Sequence, residues 1–143
     1  MSKAYLALVP LLILNACGPS APADPVKAAQ AERAAMSVAD PRLPTGFSIF
    51  TGGGGDVQEL DFAEPSTGGK IFSFSVIAPP QNILRFYEEQ STAVGMAVDG
   101  RYNGGEVLSY EARKAEGEPK TFGVTATRKG EYTNVVLNFD VTR

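Results

Sequence analysis

Hydrophobic and polar residues alternate with a period of two along most of the chain after residue 45, and this alternation is typical of β-strands. The clearest case is the segment 70–78, in which Phe72, Phe74 and Val76 alternate with serines. The same alternation predicts further strands at 45–51, 57–62, 96–99, 106–113, 121–127 and 132–142. Turn-forming residues separate these segments, and Asn103-Gly104 in particular predicts a β-hairpin.

The hydrophobic period becomes that of a helix after Pro79-Pro80. Apolar residues then recur at spacings of three and four, at Ile83, Leu84, Phe86, Tyr87 and Val94. Proline is tolerated in a first helical turn, and Gly95 predicts a left-handed residue that ends the helix. The apolar face of this helix needs a large apolar partner, which a sheet provides.

Together these elements predict an α+β domain over residues 45–143. We expect one antiparallel sheet of about six or seven strands, with a single principal helix packed on one face. Short polar turns join the last three strands, as in an antiparallel meander. The other face of the sheet is predicted to be polar, because its positions hold Ser73, Ser75, Thr121, Thr125, Thr127, Asn138 and Asp140.

The N-terminal residues follow a different pattern. A short apolar run, 4–14, lies between Lys3 and Cys17. A cationic start, an apolar core and small residues before a cleavage point are typical of an export signal. About eleven apolar residues are too few for a membrane-spanning helix, which needs roughly 20, and Pro10 interrupts the run. We therefore expect a signal peptide over 1–16 rather than a permanent transmembrane helix.

The sequence Leu14-Asn15-Ala16-Cys17 resembles the lipobox of bacterial lipoproteins, in which an aliphatic residue, a tolerant position and a small residue precede a cysteine. In that family the cysteine thiol receives a diacylglyceryl group, a signal peptidase cuts before the cysteine, and the new amine is often acylated, as with palmitate. The resemblance implies cleavage between Ala16 and Cys17, lipidation of Cys17, and membrane attachment through this lipid. Gly18, in place of an Asp, favours the periplasmic side of the outer membrane.

Residues 17–44 are rich in Ala and Pro, a composition that buries too little apolar surface to fold alone. We expect a flexible tether between the lipidated cysteine and the domain. Within it, Asp24-Pro25 and the Ala-rich segment 26–36 predict a short helix. The segment lacks a wide apolar stripe, so a solvated spacer helix is favoured over a helix that docks on a partner.

Composition excludes several classes of function. The chain has no His, and Cys17 is its only cysteine, which excludes Ser-His-Asp, Cys-His and His/Cys zinc sites. No metal or other cofactor is expected. The net charge is −3 and the basic residues are scattered, which argues against nucleic-acid binding.

Glu111 and Asp140 lie on predicted strands of the polar face, where isolated surface carboxylates are favoured over a glycosidase-type pair.

The anchor, the spacer and the lack of catalytic groups predict a non-enzymatic lipoprotein that presents its domain to a protein partner in the cell envelope. Tyr102 and Tyr132 flank turns and are the expected contact residues, whereas Tyr87 and Tyr110 lie on apolar faces. The alternative is a periplasmic carrier or sensor that binds a small apolar ligand between sheet and helix. The Phe-rich strand and helix suggest that alternative, although the same residues suffice to form a core.

Overall fold

A computed structural model describes residues 24–52, 57–66 and 68–140 of the chain. The described residues form two helices and eight strands, in the order α1 Pro25–Ala35, β1 Ser37–Val38, β2 Ile49–Phe50, β3 Gln58–Ala63, β4 Lys70–Val76, α2 Pro80–Ala93, β5 Ala97–Asn103, β6 Val107–Arg113, β7 Thr121–Lys129 and β8 Tyr132–Asp140. The predicted signal peptide, the cleavage position after Ala16 and the lipidation position Cys17 lie outside the described residues.

Six of the described strands form one antiparallel sheet, here called the main sheet, in the order β3-β4-β8-β7-β6-β5. Strands β5 to β8 are neighbours in sequence order, as expected for chain segments joined by short turns. Strand β4 pairs with β8 over its whole length, so that Phe72 lies beside Leu137. The prediction of a mostly antiparallel sheet with one main helix is confirmed.

The α2 face of the main sheet holds the hydrophobic core. Phe122 lies at its centre, and its ring centroid is 4.8 Å from that of Phe47, 5.0 Å from Phe139, 5.9 Å from Tyr87 and 6.4 Å from Tyr110. All five side chains are buried. Burial of a side chain of this size contributes about 1.5–3 kcal/mol, so this cluster is a large part of what holds helix and sheet together.

Helix α2 begins and ends close to the predicted positions. Pro79 is extended, with φ −63° and ψ 140°, and Pro80 is the first helical residue. Gly95 follows the helix with φ +81°, and the amide of Met96 donates to the carbonyl of Ser91 at 2.9 Å. This is the left-handed ending that the glycine predicted.

The hairpin between β5 and β6 also forms, but β5 is longer than the predicted strand 96–99. It continues to Asn103 because the turn lies at Gly105-Glu106, which is closed by a hydrogen bond of 2.9 Å from the Gly104 amide to the Val107 carbonyl. A bulge interrupts the β5–β6 ladder between Val98 and Gly100. The bulge places an extra residue opposite β6 and shifts the side-chain alternation of the edge strand.

The predicted strand 45–51 is largely replaced by a turn. Only β2 is extended, and it pairs with β1 in a separate two-stranded sheet rather than with the main sheet. The Phe47 amide donates to the Pro44 carbonyl at 3.1 Å, and Gly46 has φ +91°. A turn with glycine at this position takes up residues that the alternation assigned to a strand.

Residues assigned to the tether also contact the domain. Leu43 is buried in the core, and the Arg42 guanidinium lies over the rings of Phe62 and Phe72 at 5.0 and 5.8 Å. Asp40 accepts hydrogen bonds from the Arg42 backbone amide and Nε, each at 2.9 Å. These bonds, together with the guanidinium charge, hold the pKa of the Asp40 carboxyl below its usual range.

Helix α1 forms where the sequence predicts a short helix. The Asp24 side chain accepts a hydrogen bond from the Val26 amide at 3.0 Å, and the Val26 side chain is 64% exposed. The other α1 side chains that the structure describes are exposed as well. This exposure is consistent with a solvated spacer helix.

Candidate functional site

The face of the main sheet opposite α2, here called the open face, is the candidate functional site. Inward-facing residues of β4, β6, β7 and β8 are buried, whereas their outward-facing neighbours are half-buried or exposed. The seven residues predicted on the polar face all lie here. Antiparallel sheets commonly pack on one side and meet solvent on the other, and the register places the open-face side chains in defined rows.

The centre of the open face combines polar groups with apolar side chains. Thr125 lies beside Val136 in the β7–β8 ladder, and both are half-buried. Ser75 Oγ donates to Asn134 Oδ1 at 2.9 Å, one row away. Val107 is a further half-buried apolar residue. Methyl groups and hydrogen-bonding groups therefore alternate over this part of the open face.

A hollow interrupts the open face at Gly123. Glu111 and Asn138 lie on either side of this glycine in the same row. A Cβ atom added to Gly123 would lie 3.9 Å from Glu111 Cγ and 4.0 Å from Asn138 Cβ, which is ordinary contact. The glycine therefore leaves room that a side chain would fill, and it forms part of a shallow cavity of about 460 Å³.

Glu111 and Asp140, the two predicted carboxylates, both line this cavity. They lie on β6 and β8, with β7 between them, and one row apart. Strand and residue spacings place their Cα atoms about 12 Å apart. Both side chains are exposed, and neither carboxylate group has a hydrogen bond or an ion pair with another described residue. The structure brings the two carboxylates to one cavity but does not pair them.

Three further charged residues line the cavity. Lys70 Nζ donates to the Arg42 carbonyl at 2.7 Å, and the other two form an ion pair. Arg113 Nη2 donates to Asp99 Oδ2 at 2.7 Å across the β5–β6 edge. Across residues 24–52, 57–66 and 68–140, no three carboxylate, Cys or His side chains lie close enough to hold a metal ion.

Tyr102 and Tyr132, the predicted contact residues, both lie on the open face but are not close together. Tyr102 lies beside Ser109 on the edge strand β5 and is 58% exposed. Tyr132 lies beside Lys129 at the start of β8 and is half-buried. Strands β5 and β8 are three spacings apart, or about 14 Å, so the two rings border the face without forming one cluster.

The α2 side carries polar contacts that the sequence pattern did not indicate. The Tyr87 hydroxyl accepts a hydrogen bond from the Phe50 amide at 3.1 Å and donates to the Ser48 carbonyl at 3.2 Å. Gln90 Nε2 donates to Ser48 Oγ at 2.7 Å. Burial raises the pKa of Tyr87, since the charged phenolate is disfavoured there, and the Phe50 hydrogen bond opposes this shift only in part.

The chain's own rings occupy the central space between sheet and helix, where an apolar ligand was the alternative. A cavity of about 340 Å³ remains where α2 faces β5 and β6. Phe86 packs on Phe50 at 5.0 Å and on Tyr87 at 5.1 Å between ring centroids, and these contacts continue to the Phe122 cluster. Within the described residues, each buried side-chain polar atom has a hydrogen-bond partner. These contacts favour core packing as the role of the Phe-rich elements.

Comparisons with known proteins do not assign this chain to a family. No family model matches it, and no curated protein or solved structure matches it either. The described helices do not include one that is both long enough and apolar enough to cross a membrane. The arrangement of its own residues therefore carries the functional argument.

Proposed function

We propose that the protein is a lipid-anchored, non-enzymatic protein of the cell envelope whose domain binds a protein partner through the open face. The observation that carries this proposal is the open face itself, with its half-buried mixture of hydroxyl, amide and apolar side chains and its hollow at Gly123. Protein interfaces outside obligate complexes have such mixed composition, with apolar contacts at the centre and polar groups at the rim.

The location of the partner follows from the lipobox resemblance. Lipidation at Cys17 would hold the chain at the membrane, because two or three acyl chains anchor a protein stably. By the same resemblance the domain would face the periplasm, attached to the outer membrane. Helix α1, whose described side chains are exposed, lies in the chain between Cys17 and the domain and acts as a spacer.

The anchor is tested by intact-mass spectrometry of the full chain from a bacterial membrane fraction, beside a Cys17→Ser variant. We expect a mass that begins at Cys17 and includes added acyl groups, and we expect the variant to lose both features. An unmodified wild-type protein in the soluble fraction would refute lipid anchoring.

The binding face is tested by placing a photo-crosslinking residue at Ser109, on the open face, or at Arg85, on the exposed side of α2. We expect irradiation of membranes to give a specific protein adduct from position 109 and none from position 85. Equal or absent crosslinking at the two positions would contradict the assignment of the open face.

A further inference from the structure

The outer edge of β5 presents backbone groups that the main sheet leaves unpaired. Strand β5 is at the end of the sheet order, and β6 is its one partner among the described strands. The Gly104 amide donates to the Val107 carbonyl, so these residues form a hydrogen-bonded pair. Such pairs alternate with non-hydrogen-bonded pairs along an antiparallel ladder, which makes Tyr102 and Ser109 the next hydrogen-bonded pair. The residues on either side of Tyr102 therefore direct their amides and carbonyls away from β6.

Those two residues are Arg101 and Asn103. Their backbone groups have no hydrogen bond to another described residue. Backbone amides and carbonyls are strong hydrogen-bonding groups, and a row of them at a sheet edge is a template for another extended chain. The edge is therefore complementary to one kind of ligand, a peptide segment in β conformation.

The opposite edge of the main sheet, at β3, is less suited to this role. A bulge interrupts the β3–β4 ladder between Gln58 and Asp61, and Glu59 within it has φ +54°. Bulges are one of the means by which proteins keep an edge strand from pairing. The bulge of β5 lies earlier in the strand than the residues with free backbone groups. An added strand is thus favoured at β5.

The cavity between α2, β5 and β6 lies beside the same two residues. Arg101 and Asn103 line it, together with Leu84 of α2 and with Leu108 and Tyr110 of β6. Leu108 and Tyr110 are buried and Leu84 is half-buried, which gives the cavity an apolar floor. Its volume is about 340 Å³. Since a water-sized group takes about 30 Å³, the cavity has room for one leucine or phenylalanine side chain.

Both charged residues of β5 already have ion-pair partners. Arg101 pairs with Glu88 of α2, and its guanidinium lies 5.9 Å from the centre of the Tyr110 ring. Asp99 pairs with Arg113 of β6. The edge therefore offers no unpaired charge to a ligand, and the side chain that fits beside it is apolar.

We propose that β5 binds an extended segment of a protein partner as an additional antiparallel strand, with an apolar side chain of that segment in the cavity. The backbone groups of Arg101 and Asn103 would hold the segment. Directly opposed residues of paired strands share a face, so the segment residue opposite Asn103 would lie at the cavity. The residue opposite Tyr102 would pack on that ring, which is 58% exposed. The proposal goes beyond the proposed function, because the sheet edge and not the open face makes these hydrogen bonds.

The probe for this site is a synthetic peptide, selected from a random library of short peptides on the immobilised full chain in detergent. We expect enriched peptides to alternate apolar and polar residues, as strands do. Fluorescence anisotropy of a dye-labelled copy then gives its Kd. A library that yields no enriched peptide would overturn the proposal.

Amide hydrogen exchange locates the bound peptide. In the free protein we expect rapid exchange at Arg101 and Asn103 and slow exchange at Tyr102 and Gly104, because only the last two amides bond to β6. The peptide should slow exchange at Arg101 and Asn103. A bound peptide that leaves these two amides unprotected would overturn the site. Protection that rises with protein concentration, without peptide, would identify a second copy as the occupant and overturn the partner segment.

The backbone hydrogen bond is tested with Asn103→Pro and Asn103→Ala. Both variants lose the amide side chain, but only proline lacks the backbone N–H, and an edge strand tolerates proline where the N–H faces outward. We expect Asn103→Pro to weaken peptide binding about tenfold relative to Asn103→Ala, the effect of about one hydrogen bond. Equal Kd values for the two variants would overturn the proposed pairing.

A change in the peptide tests the same bonds without altering the protein. N-methylation of the peptide amides removes donors while keeping the side chains. Methylation at the residues opposite Arg101 and Asn103 should weaken binding about tenfold, and methylation at the residue opposite Tyr102 should have little effect. Equal effects at all three positions would contradict the alternation of hydrogen bonds along the edge.

The cavity is tested with Leu84→Trp, which places a larger ring in it. Peptide binding should weaken about five- to tenfold, because the apolar side chain of the segment would lose its space. The matched control is Ala93→Trp, exposed on α2 outside this cavity, which should leave the Kd unchanged. Undiminished binding to Leu84→Trp would overturn the cavity as the side-chain site. Failure of any of these peptide tests would leave the open face standing, because the crosslink from position 109 uses no backbone group of β5.

Discussion

At the scale of single residues, Tyr87 connects the helix to the chain segment that crosses its end. Its ring is buried in the aromatic cluster, and its hydroxyl bonds the backbone of Ser48 and Phe50. Without that hydroxyl, the Phe50 amide would be buried without its partner, which costs about 1–3 kcal/mol. Tyr87 therefore stabilises the fold through both its buried ring and its hydroxyl group.

Substitution of Tyr87→Phe should lower the free energy of unfolding at pH 7 by about 1–3 kcal/mol. The size of this loss should depend on pH. An unfolded tyrosine ionises near pH 10, and burial raises the pKa of Tyr87 in the folded state. The stability that neutral Tyr87 provides is therefore complete below pH 10 and is lost as the pH rises above it.

Urea unfolding of wild type and Tyr87→Phe between pH 7 and pH 11 measures this effect. We expect the difference between the two proteins to narrow above pH 10, since only the wild type must keep this phenol neutral. A difference that stays constant over the whole range would contradict the buried, neutral phenol.

At the scale of elements, two glycines with left-handed backbone adjoin the end of α2 but have different surroundings. Gly46 has φ +91° and Gly95 has φ +81°. A Cβ atom on Gly46 would lie 2.3 Å from Cγ1 of Val94, whereas a Cβ atom on Gly95 would meet no atom within 4 Å. The turn before β2 is thus packed directly on the end of the helix.

Gly95→Ala should lower the free energy of unfolding by about 1–2 kcal/mol, because alanine is strained in left-handed backbone. Gly46→Ala should cost about 1–3 kcal/mol more, because it adds a collision. Denaturant unfolding of both variants measures the difference. Adding Val94→Ala should restore part of the unfolding free energy that Gly46→Ala loses and none of what Gly95→Ala loses. Equal effects of Val94→Ala in both backgrounds would argue against the close contact between Gly46 and Val94.

At the scale of the whole molecule, the ordered domain includes residues before position 45. Leu43 is 8% exposed and belongs to the core, and β1 supplies the only partner described for β2. The Lys70 ammonium donates to the Arg42 carbonyl at 2.7 Å. Residues 36–44 therefore serve as part of the domain's packing as well as its connection to α1.

Leu43→Ala should lower the free energy of unfolding by about 2–4 kcal/mol, as for other buried leucines. Val26→Ala, a matched apolar truncation on exposed α1, should change it by less than about 0.5 kcal/mol. Chemical denaturation of the two variants compares them directly. Similar small effects for both would place Leu43 outside the cooperative core.

The sequence predicted individual residues of the candidate site but not how they are arranged. Alternation placed Glu111, Asp140, Tyr102 and Tyr132 at strand positions or turns, because side-chain direction follows from a local period of two. The hollow was not predictable, since it depends on which strands flank Gly123. Strand order and register depend on contacts between distant residues, which no local pattern contains.

By itself, the sequence determined the bounds of α2, the positions of the strands β4, β6, β7 and β8, and the polar character of one sheet face. These features depend on periodicity, prolines and glycines within short segments. The tertiary structure decided the pairing of β4 with β8, the burial of Leu43, and the meeting of Glu111 and Asp140 at one cavity. Each of these joins residues far apart in the chain, and only the packing of the complete domain selects them.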